Sequence, residues 1–248
     1  MSSLVRTELL KQRTLRTFLA GWAAAPVIAA LATIAIFAAA GRDGNDPLDS
    51  RSLLHAVGAP TGVVTVIALL LGVVGMTGEY RHETITTTFL ARPRRRDVLT
   101  AKLAAYAITG AVLSTAAAAV SAAVAVPWLH SRGIPIELDV DLLRTVAGGV
   151  VTSALYGALG VSIGALIRNQ TAACAVVLVW LLAVEGILGD VFAGSTFVDW
   201  LPAAAAHAIV DVSPRDALPP PIAAAVFGAY VLVAAAVATR STLRRDVT

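Results

Sequence analysis

The sequence is poor in cysteine and in charge, and it has none of the familiar nucleotide-binding or zinc signatures. Cys174 is the sole cysteine among 248 residues, so no disulfide forms within the chain and no cysteine-based metal site can be built. It sits in an apolar run, where a small buried thiol is the ordinary reading. Charged residues make up 14% of the chain, against about 25% in a soluble globular domain. Neither GxxxxGK[ST] nor GxGxxG occurs, so neither phosphate-cradling loop is available. HExxH is missing, as is any DDxxD-like pair of the kind a prenyl transferase uses. The four histidines, His55, His82, His130 and His207, are dispersed along the borders of apolar runs and read as interface polar residues. These absences argue against a disulfide-built module and against a nucleotide- or metal-dependent enzyme.

What is present is apolar sequence. Hydrophobic residues make up 57% of the chain, and the mean hydropathy is +0.78. They gather into runs of roughly 20 residues, enough to cross about 30 Å of hydrocarbon as helix. The pattern predicts an all-α polytopic membrane protein with a single transmembrane domain. Six spans are expected at about 20–40, 58–77, 103–126, 142–166, 172–188 and 222–239. The first apolar run is too long for the h-region of a signal peptide, so no cleavage is expected there. Glycines at 148, 149, 157, 160 and 164 mark the fourth span as a closely packed membrane helix. Residues 189–221, with Trp200-Leu201-Pro202, read as short helices dipping into the outer leaflet.

The net charge of +3 and pI near 9.4 follow from membrane topology better than from nucleic-acid binding, and no nucleic-acid partner is expected. With six spans both termini share one face of the membrane. That face then carries fourteen of the Lys and Arg residues and the other face five, which puts both termini in the cytoplasm. Residues 2–19 place Leu4, Val5, Leu9, Leu15, Phe18 and Leu19 at roughly helical spacing, with Arg6, Lys11, Arg13 and Arg16 between them. They read as an interfacial amphipathic helix, or alternatively as a plain basic flank that fixes orientation. Glu185 lies inside the fifth span, where a carboxylate is costly. It lines a substrate path or makes a helix–helix hydrogen bond, or else it reaches water past Gly189.

The most informative stretch is 78–102, GEYRHETITTTFLARPRRRDVLTAK. Arg92, Arg94, Arg95, Arg96 and Lys102 read as membrane-surface and topology residues. Glu79 and Glu83 stand one helical turn apart. The stretch resembles the cytoplasmic loop of ABC-2-type permeases, the membrane subunits of ATP-binding-cassette exporters. The resemblance rests on Glu79, Glu83-Thr84, Phe89-Leu90, the Pro-Arg-Arg-Arg run at 93–96 and Ala101-Lys102. Segments 159–188 and 200–209 are also similar to such permeases. Glu83 stands where many relatives have glycine.

The resemblance implies a cytoplasmic coupling helix between spans 2 and 3. It would dock a separate ATPase subunit through Glu79, Tyr80, Arg81, Glu83, Thr84, Thr87 and Leu90. It also implies a permease homodimer in the plasma membrane, with two ATPase subunits that hold ATP and Mg2+. This chain would carry no cofactor of its own and would not be an enzyme. The cargo would be a hydrophobic or amphipathic drug or lipid, moved outward. Two other classes stay open: a scaffold or sensor subunit without transport, and an integral membrane enzyme acting on lipid. The enzyme would gather carboxylates or histidines at one membrane face, and the sequence does not.

If positive charge holds residues 78–102 inside, replacing Arg94, Arg95 and Arg96 together with Glu disturbs insertion as well as activity. A topology reporter fused after Arg96 is expected to read cytoplasmic; an extracellular reading overturns the orientation.

Overall fold

The computed structural model describes residues 2–42, 47–81, 95–192, 194–210 and 218–244. All regular structure among them is helical. Six segments are long and apolar enough to cross a membrane: Arg16–Ala39, Ser52–Arg81, Arg96–Ser131, Val140–Ile167, Gln170–Val191 and Pro220–Arg240. The chain is a multi-pass membrane protein.

The first expectation to change concerns residues 2–19. They do not form one helix. Helix α1, Ser2–Thr14, stops at Leu15, whose φ of −92° and ψ of 124° are extended, and α2, Arg16–Ala39, starts afresh. The amides of Phe18 and Leu19 both donate to the Leu15 carbonyl, which opens the new helix. The side of α1 turned to the protein is polar, because Glu8 and Gln12 are its buried residues. Leu10, Leu15 and Leu19 are each 51% exposed, so these three leucines do not supply the packing.

The second span begins earlier than expected. A short helix α3, Ser52–Gly58, meets α4, Thr61–Arg81, at Ala59 and Pro60, and the two together form one membrane-length segment. Pro60 cannot donate to the ladder, which is why the chain bends there. Helix α5, Arg95–Ser131, has 37 residues, or about 55 Å of helix, well over the hydrocarbon thickness. It continues through Pro127, where the sequence places a loop. Beyond the proline, Leu129 is fully buried and Trp128 packs edge-on to Phe37 with ring centroids 5.8 Å apart. That packing offsets the lost hydrogen bond.

Helix α6, Val140–Ile167, is capped by Asp139, whose carboxylate accepts from the Leu142 amide at 3.0 Å. It ends at Arg168 in a left-handed conformation, and Asn169 caps α7, Gln170–Val179. A π-helical turn, Trp180–Val184, joins α7 to α8, Glu185–Val191. A one-turn 3-10 helix, Val198–Trp200, and α9, Pro202–Val210, lead to the last span, α10, Pro220–Arg244.

Helices α4 and α6 form the centre of the bundle. They run in the same direction, with Thr61 beside Gly149 at one end and Val73 beside Gly164 at the other. Helix α5 runs against both, placing Tyr106 over Gly75 and Ser114 beside Gly149. A Cβ added at Gly160 would run into the Leu69 carbonyl, and one at Gly72 into the Gly157 carbonyl. The two backbones therefore touch directly, as small residues allow in lipid. Two ends of the bundle follow. The proximal end holds α1, the close of α4 and the start of α5; the distal end holds α3, the start of α6 and α9.

Gly160→Ala pushes a methyl group against backbone that has no rotamer to yield. It is expected to destabilise the fold by about 1–3 kcal/mol, measured by thermal unfolding in detergent, whereas Gly186→Ala, with open space at the site, is expected to be near neutral.

Candidate functional site

At the proximal end three helices meet through charge. Glu8, Lys11 and Gln12 share one face of α1, and Lys102, Tyr106 and Thr109 share one face of α5. Glu79 projects from the last turn of α4. Lys102 is 1% exposed; its Nζ donates to Glu8 Oε2 at 2.7 Å and to Glu79 Oε1 at 2.7 Å. Lys11 Nζ donates to Glu8 Oε1 at 2.8 Å and to Glu79 Oε1 at 3.0 Å. Two carboxylates and two ammonium groups thus alternate, and the cluster is neutral. One layer deeper, Thr109 Oγ1 donates to Gln12 Oε1 at 2.6 Å.

Removing such charges from water costs several kcal/mol per ion, and only close pairing offsets that cost. Burial pushes the Glu8 carboxyl up, but Lys102 and then Lys11 outweigh it and hold the group below its ordinary value of 4.5. Burial pulls Lys11 down, while Glu8 and Glu79 together hold it above 10.5. The signs give the pH window. The contribution of Glu8 is complete above pH 4.5 and is lost as pH falls through its lowered value. The contribution of Lys11 is complete below pH 10.5 and is lost as pH rises through its raised value.

The sequence-predicted residues divide around this cluster. Glu79 is buried within it. Tyr80 is half-buried, with the Arg168 guanidinium 5.2 Å above its ring. Arg81 ends α4 exposed, and Arg96 is exposed in the first turn of α5, which Arg95 opens. Lys102, expected at the membrane surface, is not there: it is fully buried and committed to Glu8 and Glu79. Glu83, Thr84, Thr87, Leu90, Arg92 and Arg94 lie outside the described residues. Glu8, Lys11 and Gln12 were not singled out from sequence as site residues. The available signal was that Glu8 is the sole acid in residues 2–19, three positions before a lysine.

The distal end holds a cavity of about 660 Å³ between α3, the start of α4, α6, the π-helical turn and α9. Arg51, His55 and His207 line it, with four threonines and Tyr156, and Leu181 and Leu182 supply an apolar side. Glu185 stands behind one wall and does not line it. Its Oε1 accepts from Trp180 Nε1 at 2.6 Å and its Oε2 from the Ala203 amide at 2.8 Å. A carboxylate at the first turn of α9 satisfies an otherwise orphan backbone donor and complements the helix dipole. Glu185 is therefore a helix–helix link that positions α9. Among the described residues no group of three or more His, Cys, Asp or Glu side chains gathers to hold a metal ion.

Compared with known proteins, the chain matches no protein-family model and no curated protein.

Lys102→Met leaves two buried carboxylates to share the part-exposed Lys11, one negative charge in excess, and is expected to cost about 3–5 kcal/mol, read as a loss of thermal stability in detergent. Adding Glu8→Gln and Glu79→Gln removes both buried charges and is expected to recover most of that loss. A spin label at Arg13→Cys, in a Cys174→Ser background, is expected to become mobile as pH falls below 4.5 and to stay ordered from there to neutral pH.

Proposed function

We propose that the chain is the transmembrane permease subunit of an ATP-binding-cassette exporter, powered by a separate ATPase. The observation that carries this reading is the cluster at Lys102. It ties α1 to the end of α4 and the start of α5, the two helices that flank residues 82–94. A force applied to 82–94 would thus act on three clamped helices at once instead of on a loose loop. Helix α4 continues from that clamp, locked against α6 by backbone contact, to the distal cavity. A shift of the helix ends would then move the cavity walls, in the manner of small helix displacements in other switching proteins.

In this reading the excess of positive charge places the proximal end in the cytoplasm of a cell whose plasma membrane the chain spans. Helix α1 rests at that interface with Leu10 and Leu15 turned to lipid. The cavity then faces the outer half of the bilayer. A second copy of the permease completes the transport path, and ATP with Mg2+ binds to the partner ATPase. The exposed Arg81 and the neighbouring Glu83 contact that ATPase. Glu79 and Lys102 transmit the movement without touching it. The cargo is hydrophobic or amphipathic.

Purification from native membranes is expected to recover an ATP-binding-cassette ATPase in stoichiometric amount. Arg81→Glu combined with Glu83→Lys is expected to lower that recovery and the stimulated ATPase activity at least tenfold while the chain stays folded. Failure to recover any such ATPase, or indifference to both charge changes, overturns the assignment.

A further inference from the structure

We propose that the distal cavity is a binding site for an amphipathic anion, a single-chain carboxylate or phosphate ester. Its head would lie among Arg51, His55 and His207, and its chain would lie along Leu181 and Leu182. The proposal deepens the transport reading and rests on it only for calling this ligand the cargo.

The argument begins with charge. The ionisable side chains lining the cavity are one arginine, two histidines and a tyrosine, and no carboxylate lines it among the described residues. Arg51 makes no ion pair among those residues. A guanidinium stays protonated in any protein setting, and its fork of donors fits a carboxylate or phosphate. Arg51 stands immediately before the membrane-length segment that opens at Ser52, and its side chain lines the cavity. His55 and His207 are both exposed to that space, and each imidazole carries an N–H to donate whichever tautomer it adopts. Glu185, behind the α9 wall, accepts from Trp180 and the Ala203 amide and does not line the cavity; its charge acts on His207, which leaves Arg51 as the fixed cationic group of the cavity.

The second part concerns shape. A cavity of about 660 Å³ lies inside the range that holds small-molecule ligands. Its basic groups lie at the N-cap of α3, on α3 and on α9, while Leu181 and Leu182 belong to the π-helical turn. Leu182 is 77% exposed, so the apolar side of the cavity runs out to the surface of the bundle, where lipid chains would lie. A ligand with one charged end and one hydrocarbon end fits both features. A cation meets like charge, and a neutral alcohol leaves Arg51 without a counter-charge.

The purified full-length chain in nanodiscs, labelled with a photoactivatable fatty acid, tests this. The photoreactive group sits on the acyl chain, so label is expected on the π-helical turn beside Leu181 and Leu182. Oleate and lysophosphatidate are expected to displace it at concentrations at least tenfold below oleyl alcohol, and their rank tells a carboxylate site from a phosphate one. Oleylamine and inorganic phosphate alone are expected to leave it in place. Arg51→Gln is expected to weaken displacement at least tenfold and Arg51→Lys less. If these variants fail to fold, the wild-type competition still decides. Equal displacement by the alcohol or the amine, or label spread evenly over the lipid-facing side of α2, overturns the proposal. Loss of anion binding by a chain that still recovers its ATPase refutes the anion site and not the transporter. Anion binding by a chain that recovers no ATPase refutes the transporter and not the site.

Discussion

The proximal end depends on one ammonium group. Lys102 is 1% exposed in a chain that crosses the membrane, and no fold could keep it there alone. Glu8 and Glu79 neutralise it, and Lys11 in turn neutralises the excess that two carboxylates would create. The order of attachment follows. Helix α1 has little apolar packing to hold it, since its buried residues are Glu8 and Gln12. Its place on the bundle is set by charge and hydrogen bonds, which are directional, and not by greasy contact, which is not. Such a joint fixes position sharply and lets go as a unit.

The middle of the bundle works by the opposite means. Between Gly72 and Gly157, and between Leu69 and Gly160, α4 and α6 touch backbone to backbone. Lipid supplies no hydrophobic drive between helices, so this close fit has to come from van der Waals contact over small residues. Aromatic pairs close the rest: Phe18 with Tyr106 near the charged joint, and Tyr156 with Phe227 beside the distal cavity. The seam runs from the charged joint to the cavity along α4.

Much of this could be read from the residues. Six spans and their alternation follow from apolar run length, and the glycines of the fourth span announced its tight packing. The details that escaped share one cause, since a sequence states what a residue is and not what it faces. Pro127 reads as a helix end, but Trp128 and Leu129 beyond it find packing that keeps α5 going. Residues 2–19 read as one amphipathic helix, but Leu15 breaks it and the polar face turns inward. Lys102 reads as one more basic residue of a surface patch, because its two carboxylate partners lie 94 and 23 positions away. Glu185 was legible as costly, and its two partners were not.

The two polar regions also differ in a way that sorts their roles. The proximal cluster is balanced: each of its four charges meets an opposite charge, and the sum is zero. A balanced set of this kind has no net charge left over to recruit an ionic ligand. The distal cavity is incomplete. Arg51 and two histidines face open space, while the buried carboxylate of Glu185 is turned to Trp180 and the Ala203 amide. A membrane protein tolerates an unbalanced cationic group where water or an anion can reach it. Glu185 joins the two features, because by accepting from the Ala203 amide it holds α9, and with it His207, at the cavity.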